Sequence, residues 1–482
     1  MLDALCLIHM IKRVREDVKI VANDILMQIK PLEPLFLAVD TFGSKISKNS
    51  IDQIYSSLDN EEAIIIFPSG EVSRSGTTGI QDTKWQKGFL KFALNKNAPI
   101  LPVYIKAKNS LFFYIASMLN KQLSAFLLPH EMFNKKNKSI EFIIGKLIPY
   151  SSFKNINIST QEKILLFKQH LYNISKDKPG IFATVKGISL PENRQNLKKE
   201  LKDAKIIGST NDGKIIYLFE YIPNSSLLRE IGRLRELSFR EVGEGTGRKR
   251  DIDDYDKYYK HIVLWDEEHL EVVGSYRLAQ SDIVYSKFGI SGFYSNELFN
   301  FQPDFKRYLN DSIELGRSFI QPKYWGGRAL DYLWQGIGAY LKNNQNVKYL
   351  FGPVSLSAHL CKNAQNLIIF YYDKYYGGKK ELLKPIKPFI LTKAETKQME
   401  EIFIGKNKKE NFLILKKNLN FYGASVPTLY KQYADLCDDG GIVFMGFNID
   451  EEFNNCIDSF ILVNVEKIKE KKHARYIGST AI

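Results

Sequence analysis

The sequence predicts an α/β protein of two domains, and three observations carry that reading. The chain has 482 residues, long for one domain and comfortable for two, each able to bury a core. Short apolar runs alternate with amphipathic stretches through the first half, as strands and helices stacked in layers require. A stretch rich in Lys, Glu, Pro and Asn, residues 175–205, then separates two patterned halves, with Pro179-Gly180 as a breaker. The predicted division is a first domain over 1–175, a linker over 176–205 and a second domain over 206–482.

In order along the first half, residues 2–15 read as a helix, 18–22 and 35–39 as strands, 51–58 as a helix and 63–67 as a buried strand. There follow a polar, Gly-rich loop (75–83), a helix over 84–97 and strands over 99–105 and 140–144. Ser159-Thr-Gln-Glu162 is a capping box opening a helix to about residue 173. The most informative stretch is Phe67-Pro-Ser-Gly-Glu-Val-Ser-Arg74. Pro68 and Gly70 turn the chain where the strand stops, leaving Glu71, Ser73 and Arg74 at its C-terminal mouth.

The second half opens with a strand pattern over 214–220 and a basic amphipathic helix over 227–242. Arg235 and Phe239 are four apart on that helix and share a face. A basic loop (243–249) leads to Asp251-Ile-Asp-Asp-Tyr-Asp256, then to paired strands at 261–265 and 271–279. Tyr324-Trp-Gly-Gly-Arg328 opens a helix over 329–341. No internal repeat is evident.

Composition narrows the function. Hydrophobic content of 44% and charged content of 25% mark a soluble, folded protein. Cys6, Cys361, Cys437 and Cys456 are scattered, so neither a disulfide framework nor a zinc site is expected. The seven histidines are unclustered, with no H-E-x-x-H, and no metal is expected. The apolar run 5–11 is short and its basic residues follow it, so no signal peptide is read at the N-terminus. A net charge of +14 admits nucleic acid, anionic lipid or acidic cofactors as partners. With no zinc finger, RNA-binding signature or base-reading helix, nucleic acid is set aside. The apolar stretch 111–128 is interrupted by Asn120, Lys121 and Gln122, which argues against a spanning helix. An in-plane helix on an anionic membrane and a buried core helix both fit it.

The Phe67–Arg74 block resembles the Phe-Pro-x-Gly block of lysophospholipid (1-acylglycerol-phosphate) acyltransferases, in the variant of hemolysin-like and ornithine-lipid O-acyltransferases. Leu35-Phe-Leu-Ala-Val-Asp40, Gly79-Ile-Gln-Asp-Thr-Lys-Trp-Gln-Lys-Gly88, Ala98-Pro-Ile-Leu-Pro-Val-Tyr104 and Lys108-Asn-Ser110 follow that family's order. The resemblance covers roughly residues 2–145. It implies a glycerolipid-acyltransferase-like α/β domain with Asp3 and Glu71 as catalytic candidates and Gly70, Ser73 and Arg74 as substrate-binding ones. The family's catalytic block is a His followed closely by an Asp, the His deprotonating the acceptor hydroxyl. Leu2-Asp3 matches the Asp end, and His9 lies on the wrong side of it. Either the true start lies upstream or this half has lost its base.

From about residue 214 to 458 the sequence resembles GNAT-fold acyltransferases that acylate amino acids, the ornithine lipid N-acyltransferases, and more distantly the acyl-homoserine-lactone synthases. The matching residues are Arg235, Phe239, Asp253, Asp256, Arg277 in Gly274-Ser-Tyr-Arg-Leu278, and Glu314 with Arg317 in Ile313-Glu-Leu-Gly-Arg-Ser-Phe319. Tyr349-Leu-Phe-Gly-Pro-Val-Ser-Leu-Ser357 and Val426-Pro-Thr-Leu-Tyr-Lys-Gln-Tyr433 extend the match. This implies a GNAT-like α+β domain with a central mixed sheet.

Amide formation needs a base for the ammonium and donors for the developing oxyanion. Glu314 is the expected base, Arg277 a binding or polarising group and Arg317 a salt-bridge partner. Residues three apart on a regular strand face opposite sides, so Glu314 and Arg317 need a bulge to share a site. The competing reading of either is a surface ion pair. Asp253 and Asp256, with Arg235 and Phe239, are expected to bind a cationic amino-acid acceptor, or to pin the loop on Arg235; a solvated acidic turn competes. Tyr324, Gly326, Gly327 and Arg328 are the expected acyl-donor site, through amides at a helix N-terminus, against a plain Gly-rich turn. The reading is an ornithine-lipid-synthase-like fusion: N-acylation of ornithine or a similar amino acid with a 3-hydroxyacyl group, then O-acylation of the new hydroxyl. It implies no bound cofactor, acyl-acyl-carrier-protein or acyl-CoA as co-substrate, and acyl carrier protein, an anionic membrane surface, an amino acid and a lyso-lipid as partners. Its expected place is the cytoplasmic side of the inner membrane. The rivals are an N-acyltransferase with an impaired first domain, a membrane-active hemolysin-like protein and a signal synthase.

Overall fold

The computed structural model describes residues 2–22, 30–38, 48–76, 79–119, 127, 130–135, 139–154, 156–378 and 381–478. The chain divides into two compact units, Met1–Gly187 and Ile188–Ile482.

In the first unit, α1 (Leu2–Ile11) precedes a parallel sheet ordered β2-β1-β3, with β1 Val18–Ala22, β2 Phe36–Ala38 and β3 Ala63–Ile65. Ile20 pairs with Phe36 on one side and with Ile65 on the other. Leu7 and Ile8 of α1 pack on Val18, Ile20 and Ile65, so one face of this sheet is sealed by the N-terminal helix. α2 (Lys48–Asp59) buries Ile54 against Leu37 and Phe92.

The structure corrects three expectations in this unit. The loop 75–83 holds a short hairpin, β4 Arg74–Gly76 with β5 Gly79–Gln81. The helix expected from residue 84 begins later, as α3 (Gly88–Asn95). Asp82 accepts hydrogen bonds from the Ser73 hydroxyl and the Trp85 indole, 2.7 and 3.0 Å, which holds residues 82–85 in a non-helical turn. The strand expected over 99–105 is β6 (Val103–Lys106), paired with β7 (Glu141–Ile144), because Pro99 and Pro102 lack the N–H a ladder needs. The apolar stretch 111–128 starts as α4 (Leu111–Leu119); residues 120–126 and 128, and Val39 with Asp40, lie outside the described residues. α5 (Thr160–Ile174) carries both hydrogen bonds of the Ser159–Glu162 capping box.

The second unit takes in part of the expected linker. Asn193 caps α6 (Arg194–Leu201), whose Leu197 and Leu201 are buried while its lysines face water. That amphipathic division explains why composition alone reads as a linker. The unit is built on one eight-stranded sheet ordered β16-β17-β14-β13-β11-β10-β9-β8. Its strands are β8 Lys205–Ser209, β9 Ile215–Phe219, β10 Lys260–Asp266, β11 Glu271–Gln280, β13 Ser312–Ile320, β14 Tyr349–Leu356, β16 Ile442–Asp450 and β17 Cys456–Asn464; β12 (Phe299–Phe301) and β15 (Leu383–Pro385) form a separate ribbon. Among the described strands of this sheet, β13 and β14 are the one pair that runs in parallel, which makes the sheet mixed.

Both faces of this sheet are covered, so the middle of β10, Ile262–Trp265, reads as an unbroken apolar run. α7 (Ser226–Glu241) lies on one face, its Leu227, Ile231 and Leu234 against Val263 and Trp265. α9 (Ala329–Asn343; α8 is Ser281–Phe288) lies on the other, its Leu333 and Ile337 against Ile262 and Leu264. Two irregularities in β13 shape this half of the sheet. Its pairing with β14 runs only from Ser312↔Tyr349 to Glu314↔Phe351. Opposite β11, Ser275 faces Phe319 and Arg277 faces Gly316, so two steps on β11 span three on β13. That is a bulge, and Arg317 sits in it at φ +49°.

Candidate functional site

Of the sites expected from sequence in the second unit, the base and acceptor residues meet on the α7 face of the sheet. Tyr276 and Leu278 point into the α9 core, so alternation sends Arg277 to the opposite face. The bulge resets the alternation on β13, and Arg317 joins that side with Glu314. Arg235 comes from α7, and Asp251, Asp253 and Asp256 from the turn before β10. Asp253 and Asp256 cap the short turn Asp254–Lys257 reciprocally, each side chain accepting from the other's backbone N–H.

The arginines and aspartates form a lattice. Arg235 Nη2 and Nη1 donate to the two oxygens of Asp256, 2.9 and 3.1 Å. Arg277 Nη1 donates to Asp253 and Asp256. Arg317 Nε stands 3.1 Å from Asp251 Oδ2 and its Nη2 3.6 Å from Asp253. Burial pushes the Asp256 carboxyl up, but Arg235 and Arg277 more than reverse this and hold it well below the carboxylate range. His261, fully buried beside them, is driven down to about 3 by desolvation and stays neutral. Three guanidinium groups meet three aspartates; burial raises the proton affinity of Asp251, and Arg317 and Arg235 offset part of that rise. Asp253 and Asp256 are thus engaged by arginines, which corrects their reading as a solvated acidic turn; Asp256 holds Arg235, and Asp253 Oδ2 keeps no hydrogen-bond partner among the described residues. Phe239 shares the helix face of Arg235 and packs edge-on against Phe453, 5.1 Å between ring centres; Phe453 in turn lies under Arg317.

Glu314 is 1% exposed. One of its oxygens accepts from the Ser295 backbone N–H at 2.7 Å and from the Ser295 hydroxyl; the other accepts from Tyr259. Burial raises its proton affinity, and these donors and Arg277 partly offset the rise. The tyrosines also build the walls: Tyr255, Tyr259 and Tyr294 surround the Arg277 guanidinium at 5.7, 5.1 and 5.4 Å. Beyond Tyr294 stand two further buried carboxyls. Asp450 meets the Tyr294 hydroxyl at 3.5 Å, and Asp458 accepts from Ser355 at 2.7 Å. Burial, then Asp450, push Asp458 up to about 7.

Sequence reasoning misses Tyr259, Ser295, Asp251, Asp450 and Asp458. Asp251 belongs to the acidic run 251–256, where a signal was present. Ser295 carries no local signal, because it meets Glu314 only through the fold.

The expected donor loop lies apart from this cluster. Ile320 ends β13 six residues past Glu314, about 20 Å at strand rise. Tyr324 donates to Glu271 at 2.6 Å, Gly326 takes φ +77°, and no side chain caps the N-terminus of α9. Arg328 is exposed, 3.5 Å from Asp331. A cavity of about 590 Å³, lined among others by Glu200, Asp203, Tyr340 and Asn344, also lies away from the Arg–Asp lattice.

In the first unit, Asp3 sits in the first turn of α1 and accepts from the Ala4 N–H. Gly70 takes φ +67°, which turns the chain as its sequence predicts. Glu71 and Arg74 form an ion pair at 2.8 Å, and Ser73 is engaged by Asp82. Among the described residues, no His/Cys/Asp/Glu group is arranged to hold a metal ion, and no helix is long and apolar enough to cross a membrane.

Residues 1–177 match the Acyltransferase family and residues 234–335 the Acetyltransferase (GNAT) domain family. A glycine N(alpha)-acyltransferase of Phocaeicola vulgatus is 33% identical over 61% of this chain and 93% of its own length. The chain belongs to that acyltransferase family. The chain is also similar to a lyso-glycine lipid O-acyltransferase of Bacteroides thetaiotaomicron, 30% identical over 28% of the chain and 52% of the relative, so the match spans about half the length of that protein. An L-ornithine N(alpha)-acyltransferase of Brucella abortus is 26% identical over 51% of the chain and 84% of its length. The protein is a lipid-type acyltransferase in which an acyltransferase domain is fused to a GNAT domain.

Proposed function

We propose that the second unit N-acylates glycine with a 3-hydroxyacyl group from an acyl-carrier-protein or coenzyme A thioester, and that the first unit esterifies the new hydroxyl. One observation carries the first step: a buried carboxylate of raised proton affinity, Glu314, beside a lattice in which arginines and aspartates pair with one another. In this reading Glu314 takes a proton from the acceptor's ammonium, through the hydroxyl of Ser295 or Tyr259 that already touches it. The free amine attacks the thioester carbonyl, the oxyanion collapses, and the thiol leaves as the amide forms. The donor's place is where β13 and β14 part beyond Glu314↔Phe351, with its phosphates toward Tyr324, Gly326, Gly327 and Arg328. Glycine is favoured because the 33%-identical relative is named for it and each lattice carboxylate already faces at least one arginine.

Asp450 and Asp458 favour a second reading, ornithine, since two buried carboxyls beyond Tyr294 suit a second ammonium. In the first unit, Asp3, Gly70, Glu71, Ser73 and Arg74 are the proposed O-acylation site, with Arg74 toward an anionic headgroup. The protein is proposed to work peripherally at a membrane, with acyl carrier protein as partner.

Mass spectrometry of products from glycine and ornithine in competition, with a 3-hydroxyacyl donor, tests the reading. Acylglycine should dominate, and Glu314→Gln should cut its formation at least ~10²-fold, the range for a lost general base, while the circular dichroism spectrum is kept. Near-normal turnover by that variant removes Glu314 from the mechanism.

A further inference from the structure

Arg277 is 1% exposed, yet half of its guanidinium is unused. Nη1 is taken by Asp253 and Asp256. Nε and Nη2 have no hydrogen-bond partner among the described residues. These two nitrogens point their N–H bonds in parallel, the edge that receives both oxygens of a carboxylate. A buried donor left unmade is costly. Arg235 Nε, Arg317 Nε and Asp253 Oδ2 also lack a hydrogen-bond partner among the described residues, but of these groups Arg277 presents two such N–H donors on one edge, which suits a two-oxygen occupant. The surroundings restrict what that occupant is. The lattice aspartates bind on the Nη1 side, and three tyrosine rings stand around the guanidinium. Tyr259 is shared: its ring lies by Arg277 and its hydroxyl donates to Glu314.

We propose that the free Nε–Nη2 edge of Arg277 binds the α-carboxylate of the amino-acid acceptor, making Arg277 the residue that selects amino acids over other amines. The proposal rests on the N-acylation reading above. An α-amino acid carries its carboxylate and ammonium on one carbon. With the carboxylate on Arg277, the ammonium is directed past Tyr259 toward Glu314, so opposite charges meet in order along the substrate. The lattice then has a second task. Asp253 and Asp256 orient Arg277 and absorb part of its charge, fixing the fork without filling it. Tyr255 is the least buried of the three rings, and its hydroxyl donates at 2.9 Å to the exposed Glu297.

Glycinamide replaces the carboxylate by a neutral amide and keeps the amine. The wild-type enzyme should acylate glycine with a kcat/KM at least ~10²-fold above glycinamide, as sites built for a polar group reject analogues lacking it. Arg277→Lys keeps the charge and loses the fork. It should raise KM for glycine far more than it lowers kcat, and bring the two substrates within about tenfold of each other. A wild-type ratio near one overturns the proposal, as does a folded Arg277→Lys enzyme that keeps the full ratio. A crystal of the wild-type protein soaked in glycine decides the matter even if that variant does not fold. The carboxylate should lie within hydrogen-bond distance of Arg277 Nε and Nη2, and glycine seated elsewhere, or absent at saturating concentration, overturns it. Failure to acylate either glycine or ornithine would strike the parent reading alone, with the soak still judging Arg277.

Discussion

Arg235 and Asp256 form a two-pronged ion pair, 2.9 and 3.1 Å, in which both side chains are wholly buried. The pair joins α7 to the turn before β10 and orients the lattice that holds Arg277. Desolvating both charges leaves such a pair little net stability, but removing one partner strands the other. Asp256→Asn should therefore destabilise the second unit by about 3–5 kcal/mol, and Arg235→Met with Asp256→Leu should restore much of that loss. Urea unfolding followed at the second unit's tryptophans measures both, and a double variant less stable than Asp256→Asn would contradict the account.

Gly352 sets the point where β13 and β14 part. It sits at φ +155°, and a Cβ there would meet the Leu315 carbonyl oxygen at 2.0 Å, a backbone atom that cannot move aside cheaply. Gly352→Ala should cost about 2–4 kcal/mol through forced backbone shift and should lower N-acylation more than the O-acylation assayed separately on lyso-lipid. Equal loss of both activities would mean the substitution acts by general unfolding.

Most of the lattice is legible in the sequence, because its residues lie in short blocks with strong local character. Arg235 and Phe239 share a helix face by spacing alone, and the need for a bulge between Glu314 and Arg317 follows from strand alternation. For Asp253 and Asp256 the sequence leaves two readings open, a receptor for a cationic acceptor or a pin on Arg235, and only the fold shows which arginines take them. Arg277 reaches them across some twenty residues and a strand crossing. Ser295 and Tyr259 are not recognisable as partners of Glu314, since serine and tyrosine are ordinary loop and strand-edge residues until the sheet brings them there. Element ends shift where side-chain bonds override propensity, as at Asp82 before α3.

Asp458 gives the stability a pH dependence of known sign. Its folded carboxyl is raised from 3.8 to about 7, so the folded protein binds a proton that the unfolded chain has released. Its stabilising contribution is full below pH 4 and is lost as pH rises to about 7. His261 acts in the opposite sense: its folded value of about 3 means stability is lost as pH falls below the unfolded value near 6.5. Comparison of Asp458→Asn with wild type isolates the first term. The variant should lose its deficit, or gain an advantage, as pH is raised from 4 to 7.5 in thermal melts, with a change of a few kcal/mol at most. A constant difference across that range would show that Asp458 is ionised throughout.

The start of α4 offers a different kind of surface. Phe113 and Tyr114 are buried, whereas Leu111, Phe112 and Ile115 are 81, 66 and 55% exposed. Ser110 ties this helix to Glu131 through its backbone N–H at 2.8 Å and through its hydroxyl, and nearby in sequence Phe133 is 71% exposed. Lys106 and Lys108 precede the helix in a chain of net charge +14. Exposed apolar side chains flanked by lysines suit the interface of an anionic bilayer, where each basic residue adds about 1 kcal/mol and apolar insertion adds more. Binding to vesicles containing anionic lipid should weaken in high salt, because the Debye length shrinks to about 3 Å at 1 M, and should persist in part through the apolar contacts. Phe112→Ser with Ile115→Ser should remove that salt-resistant part and leave the thermal melt of the protein unchanged, since neither side chain is in the core. Flotation with vesicles measures it, and wild-type protein that stays unbound even at low salt would assign this surface another role.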